Sequence, residues 1–176
     1  LEQARENLAK EIETRDRAAF VERTSALATE QQRQLAAFDP ATGSAAAAIA
    51  DTQSAIDSHY DAAVDRGIID ADDAAKAKIA SRRAAAAGYY LKQAGAKDAD
   101  GVTAMAKELE ADFAAGGVAG LDGQGYAELV TDMARLADAK RSEAKSQSAA
   151  LSKEGDGFAA IAAAGGVPDA GQLALF

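Results

Sequence analysis

The chain has 176 residues, enough for one domain or one elongated module, and its net charge of −9 argues against a general nucleic-acid binder, which would show a basic face. Alanine supplies 49 residues, whereas Val, Ile, Leu and Phe together supply only 30, so the composition predicts helices with close, shallow packing and modest tertiary stability. Cysteine is absent, which excludes disulfides, zinc–thiolate sites and thiol nucleophiles, and no run of ~18 apolar residues exists that would span a membrane.

Residues 1–37 contain neither Pro nor Gly and read as one long helix. Leu1, Leu8 and Ile12 mark a stripe that Phe20, Leu27, Leu35 and Phe38 roughly continue. Thr24 and Gln31 interrupt it, and seven acids alternate with six bases around the rest. The expectation is a coiled-coil-like arm over residues 1–38 rather than a strong zipper, because several seam positions are polar. The chain opens on Leu1 and lacks the apolar core of a signal peptide, which suggests an excerpt of a longer protein or a processed one.

Asp39-Pro40 marks the first boundary, since proline disfavours helix before it and suits the first turn after it. Gly43-Ser44 is a second possible start. The helix that follows reaches Arg66, with Ile49, Ile56 and Ala63 spaced by sevens and Tyr60 nearby. His59, the sole histidine, sits beside that stripe. No second strong ligand stands at metal-site spacing, so it reads as an ordinary surface or core-edge residue.

The stretch from Arg66 to Ala74 is the clearest local signal. Gly67 suits the left-handed position after a helix end, Ile68 and Ile69 can fold back on both neighbours, and Asp70 is placed to cap the next helix. Gly67, Ile68, Ile69 and Asp70 therefore form a structural hinge between two antiparallel helices. Residues 67–98 carry six bases against four acids and residues 39–66 one against five, which reads first as solvated helix surface and, as the alternative, as opposite faces of a helical pair matching charges.

Residues 71–94 form the third pattern, with Ala75, Ile79, Ala86 and Tyr90 on one face and Gly88 small enough for a close approach. Tyr89-Tyr90 beside Arg82 and Arg83 reads as a core-edge pair rather than a base-stacking platform. Gly95 ends this helix and Asp98 or Asp100 caps the next. Val102, Met105, Leu109 and Phe113 then make an amphipathic stripe.

Residues 116–125 hold five glycines with Leu121 as apolar anchor. They lack the Gly-Lys-Ser/Thr ending of a phosphate loop. The last long pattern runs from Gln124 to Lys153, strongest at Tyr126, Leu129, Val130, Met133, Leu136 and Ala137, and its second half projects. Gly155-Asp156-Gly157 is expected to break it, with a short helix over 158–164 and an extended, flexible tail from Gly165 to Phe176. Helices thus end in Gly and restart after Asp at Gly67/Asp70, Gly95/Asp98 and Gly120/Asp122. The fold class is all-α: an arm (1–38), an antiparallel bundle (39–154), and a short helix with tail (155–176), together an elongated helical bundle.

Neither a Gly-x-Ser-x-Gly elbow nor a carboxylate cluster in an evident cleft marks an active site, and the reading names no catalytic, cofactor-binding or metal residue. The segment Ala63 to Ala74, with Arg66-Gly67-Ile68-Ile69-Asp70 at its centre, followed by the Met105–Phe113 and Tyr126–Ala137 faces, resembles the alanine-rich helical regions of internal virion proteins, or ejection proteins, of short-tailed bacteriophages. The resemblance covers about residues 45–145. It implies storage in the virion beside the portal and other ejection proteins, then release into the host envelope as a channel through which DNA passes without sequence-specific binding. The lytic transglycosylase signature of some members is absent, since Ser142-Glu143 is reversed and Gly120-Leu121-Asp122-Gly123-Gln124 does not match, so the implied region is non-enzymatic. Leu1, Leu8, Ile12, Phe20 and Phe176 are the expected contacts of a homo-oligomer. A scaffold or tail protein, or a helical domain of a bacterial envelope protein in cytoplasm or periplasm, is the alternative.

Overall fold

The computed structural model describes residues 2–163, with side chains to residue 153. Five helices make up these residues, and no strand occurs among them: α1 Glu2–Ala37, α2 Ala45–Asp65, α3 Ala71–Gly95, α4 Ala99–Ala115 and α5 Gly123–Ala163. The protein is all-α.

Local chemistry accounts for most boundaries. Asp39 closes the α1–α2 turn by accepting the Ala41 amide at 2.9 Å and the Thr42 hydroxyl at 3.1 Å. The three restarts read from Asp are all side-chain caps. Asp70 accepts the Asp73 amide at 2.7 Å, Asp98 the Gly101 amide at 2.7 Å, and Asp122 the Gly125 amide at 2.8 Å. Asp98, and not Asp100, is thus the cap of α4. Gly95 still belongs to α3, with Ala96 in the cap position, so no left-handed residue is needed there.

α2 and α3 form an antiparallel pair. Asp61 pairs with Lys78, Asp57 with Arg82, and the Thr52 hydroxyl approaches Tyr89 Oη at 3.5 Å. α1 lies antiparallel to α2 and parallel to α3: Phe20 meets His59 and Tyr60, while Leu35 would lie 2.9 Å from a Cβ built on Gly88. Lys92 of α3 donates to the Leu35 and Ala36 carbonyls at 2.6 and 2.7 Å, closing the carboxyl end of α1. α5 also runs parallel to α3. Arg83 pairs with Asp122 at its start, and Lys140 donates to the Gly95 carbonyl at 2.9 Å further along.

The core has two parts. The larger joins Ile49, Ala86, Tyr89, Val102, Met105, Leu109, Leu129 and Met133, drawing on α2 to α5 with Leu35 and Phe38 at its edge. The smaller joins Ile56, Tyr60 and Ala74 and is covered by Phe20 and Leu27 of α1.

Three expectations change. Only half of the expected α3 face faces inward: Ala86 and Tyr90 are buried, but Ala75 is exposed and Ile79 is 48% exposed, and Ala74, Tyr89 and Ala94 complete the buried face. Alanine surrounds this helix, so composition does not select the face; packing against α2 and α5 does. Phe20, expected at an oligomer contact, stacks on His59 at 5.1 Å inside the chain's own smaller core. Gly155-Asp156-Gly157 does not break α5, which runs through to Ala163. No proline interrupts it there, and a helical glycine costs only about 1 kcal/mol against alanine. The boundary drawn at residue 155 therefore falls inside a helix. The tail from Gly165 lies outside the described residues.

Candidate functional site

The hinge residues and His59 lie at one end of the molecule, beside α1. At the hinge, Gly67 has φ +67°, the Ile68 amide donates to the Ala63 carbonyl at 2.9 Å, and the Gly67 amide donates to the Val64 carbonyl at 2.8 Å. This double bond is the Schellman closure of a helix end. Ile69 packs on the smaller core beside Val64, and Asp70 starts α3. The Asp70 carboxyl is held below its usual pKa, first by the Asp73 amide hydrogen bond.

α1 passes beside this turn. A recess of about 180 Å³ lies between them, lined by Asp16, Phe20, Arg23, His59, Arg66 and Ile68. A second, of about 340 Å³, adjoins it along Ala9, Ile12, Glu13, Arg17, Gly67 and Ile68. Neither Arg23 nor Arg66 has an ion-pair partner among the described residues.

His59, the sole histidine, joins α2 to α1. Thr24 Oγ1 donates to the Phe20 carbonyl at 2.9 Å and lies 2.9 Å from His59 Nε2. With the hydroxyl proton on the carbonyl, Nε2–H is the donor to Thr24. The pair joins α1 to α2 as a latch. Burial, and then the Arg23 charge, push the imidazole pKa below its ordinary value, which favours the neutral ring. Among the described residues no group of three or more His, Cys, Asp or Glu side chains stands where it could hold a metal ion.

The expected oligomer contacts separate. Leu8 and Ile12 are 57% and 48% exposed on α1. Phe20 is turned inward, and Leu1 and Phe176 lie outside the described residues. Sequence reasoning missed Val21, exposed on α1, while Leu151, exposed on the far part of α5, belongs to the projecting half read from the sequence but not to the expected contacts. The signal for Leu151 was present in the thinning of the α5 stripe beyond Lys140.

Comparison with known proteins identifies no relative: no family model, no curated protein and no solved structure matches the chain. No helix among the described residues is long and apolar enough to cross a membrane.

Proposed function

We propose that this chain is a structural, non-enzymatic assembly protein, and within that class an internal virion protein of the ejection type. Copies are stored with other virion proteins beside the portal and are released into the host envelope, where they surround DNA in transit. One observation carries the assembly part of this reading. Every described residue from 2 to 15 and from 142 to 153 is exposed: α1 here only skirts the hinge at Ala9, Ile12 and Glu13, and α5 has passed Arg141, which holds Thr103 and Asp100, so two helical segments, each about 20 Å long, bury no face within the chain. Isolated helices of that length are marginal in water, and a neighbouring chain would stabilise them. The virion part rests on the Ala63–Ala74 pattern and on the low content of bulky apolar residues. A shallow core lowers the cost of unfolding for passage through a narrow portal and refolding beyond it.

Sedimentation over a concentration series, with circular dichroism, tests the assembly reading. The expected result is reversible association accompanied by a gain in helicity. A rigid monomer that melts cooperatively above ~65 °C, higher than most mesophilic domains, contradicts it. Mass spectrometry of purified particles and of infected-cell envelopes tests the virion reading: the chain should be present in both, and its absence from particles rejects it.

A further inference from the structure

The two unpartnered helix ends point in opposite directions. α1 and α5 each run parallel to α3. The first turns of α1 pass the hinge, where α3 begins, whereas Lys140 of α5 sits at Gly95 where α3 ends and Arg141 holds Thr103 and Asp100 at the start of α4, the outer part of α5 continuing beyond them. Within the chain α1 and α5 do not touch. The ends also differ in charge. Residues 2–17 and 61–76, which form the hinge end, carry ten acids and six bases. Residues 139–153 of α5 carry four bases, Lys140, Arg141, Lys145 and Lys153, against Glu143 alone, in a chain whose net charge is −9. Acids return only at Glu154 and Asp156.

We infer that copies of this chain join head to tail, the basic outer part of α5 in one copy lying along the outer part of α1 in the next, beside the hinge segment 61–76, whose five acids against two bases supply most of the negative charge of that end. This rests on the assembly reading and goes beyond it by naming both surfaces. A copy shifted along the α3 axis brings its α1 beside the α5 of the first, running in the same direction, over about four turns. On α5, Ala144 and Leu151 are seven residues apart and share a face. That face meets the exposed Leu8–Ile12 stripe, beside the 340 Å³ recess floored by Ile68. The contact is heterologous, since each copy offers two different surfaces, so repetition gives a ring or an open filament rather than a closed dimer. Four turns of paired helix cover less than the roughly 1,200–2,000 Å² of a stable interface, so each joint is weak and strengthens as the assembly closes.

The absence of cysteine makes a direct test available. Leu8→Cys and Leu151→Cys, both at exposed positions, are prepared separately in the full chain, mixed at a concentration where wild type associates, and joined with a short bis-maleimide. Peptide mass spectrometry then reads the linkage. A dominant link between positions 8 and 151 supports the inference, together with its loss when Lys145→Glu and Lys153→Glu are added to the Leu151→Cys chain. Links confined to 8–8 or 151–151, no link, or an 8–151 link indifferent to the charge reversal overturns it, while association of the wild type leaves the assembly reading standing. A wild type that sediments as a monomer at every concentration overturns both.

Discussion

The two parts of the core differ in how they are closed. The larger is walled by four helices, and Ile49, Val102, Leu129 and Met133 in it are essentially inaccessible. The smaller is a slot between α2 and α3 covered by one helix, α1, which has no fully buried residue of its own. Its cover is a half-buried Phe20, a half-buried Leu27 and the Thr24–His59 hydrogen bond. A region closed by several elements opens only with global unfolding, whereas a single covering helix can lift locally. The hinge end, the Arg23–Arg66 recess and the outer part of α1 all belong to the second kind. Of the two surfaces assigned to assembly, the one on α1 is therefore also the part least committed to the fold.

The largest effect is expected in the larger core. Leu129→Ala should cost about 2–5 kcal/mol and lower the melting temperature of the whole chain, measured by calorimetry. A small loss confined to α5 would mean that the larger core is not one cooperative unit.

Two glycines sharpen the same contrast. Gly120 has φ +78°, and an added Cβ would lie 2.8 Å from Ala86 Cβ and 3.0 Å from Ile49 Cγ2, at the wall of the larger core. Gly67 has φ +67° with open space around it. Gly120→Ala should cost about 2–4 kcal/mol from backbone strain and overpacking together. Gly67→Val should cost about 1–2 kcal/mol from strain alone. Equal losses in denaturant titrations would remove the packing argument for Gly120, and an unchanged melting temperature for Gly67→Val would count against the left-handed turn.

Phe20→Ala addresses the cover directly. The loss should be about 1–2 kcal/mol, since the ring is only half buried. Amide exchange should accelerate along α1 while α4 and the inner part of α5 keep their protection. Uniform acceleration would show that α1 is integral to the larger core.

The smallest effect is the pH dependence of that cover. The folded His59 pKa lies below the ordinary value of 6.5, because of burial and then Arg23. Below 6.5 the unfolded chain takes up the proton first, so stability rises with pH in that range. The contribution of the neutral ring is complete above 6.5, falls as pH drops below it, and is lost once pH passes beneath the folded value. Between about pH 7.5 and 5.5, wild-type α1 should gain exchange rate, whereas His59→Gln, which retains a donor for Thr24, should respond less. The same variant should leave assembly intact. Loss of assembly with folding preserved would restore His59 as a functional group, and an identical pH response in both chains would dismiss the latch.

Much of the fold was legible in the sequence because the signals were local. Asp70, Asp98 and Asp122 bind amides three residues away, and Gly67 closes a turn spanning six residues, so a short window holds both partners of each interaction. The seven-residue spacing of Ile49, Ile56 and Ala63 selected the buried face of α2 because larger side chains stood there against a polar remainder. The clustering at the hinge end was not legible. Nothing near His59 in sequence names Thr24, thirty-five positions earlier, as its partner, or Phe20 as the ring beneath it.

Sequence alone determined the helical class, the caps and the hinge, through propensity and interactions within one turn. Tertiary packing decided which alanines face inward, that Phe20 serves this chain's own core, that Gly120 must have no side chain where α2 and α3 meet it, and that α1 and α5 emerge at opposite ends. The physical reason is the alanine itself. Alanine occurs on every side of α3 between its charged residues, so the helix period selects a face only weakly and the partners' shape and charge make the choice.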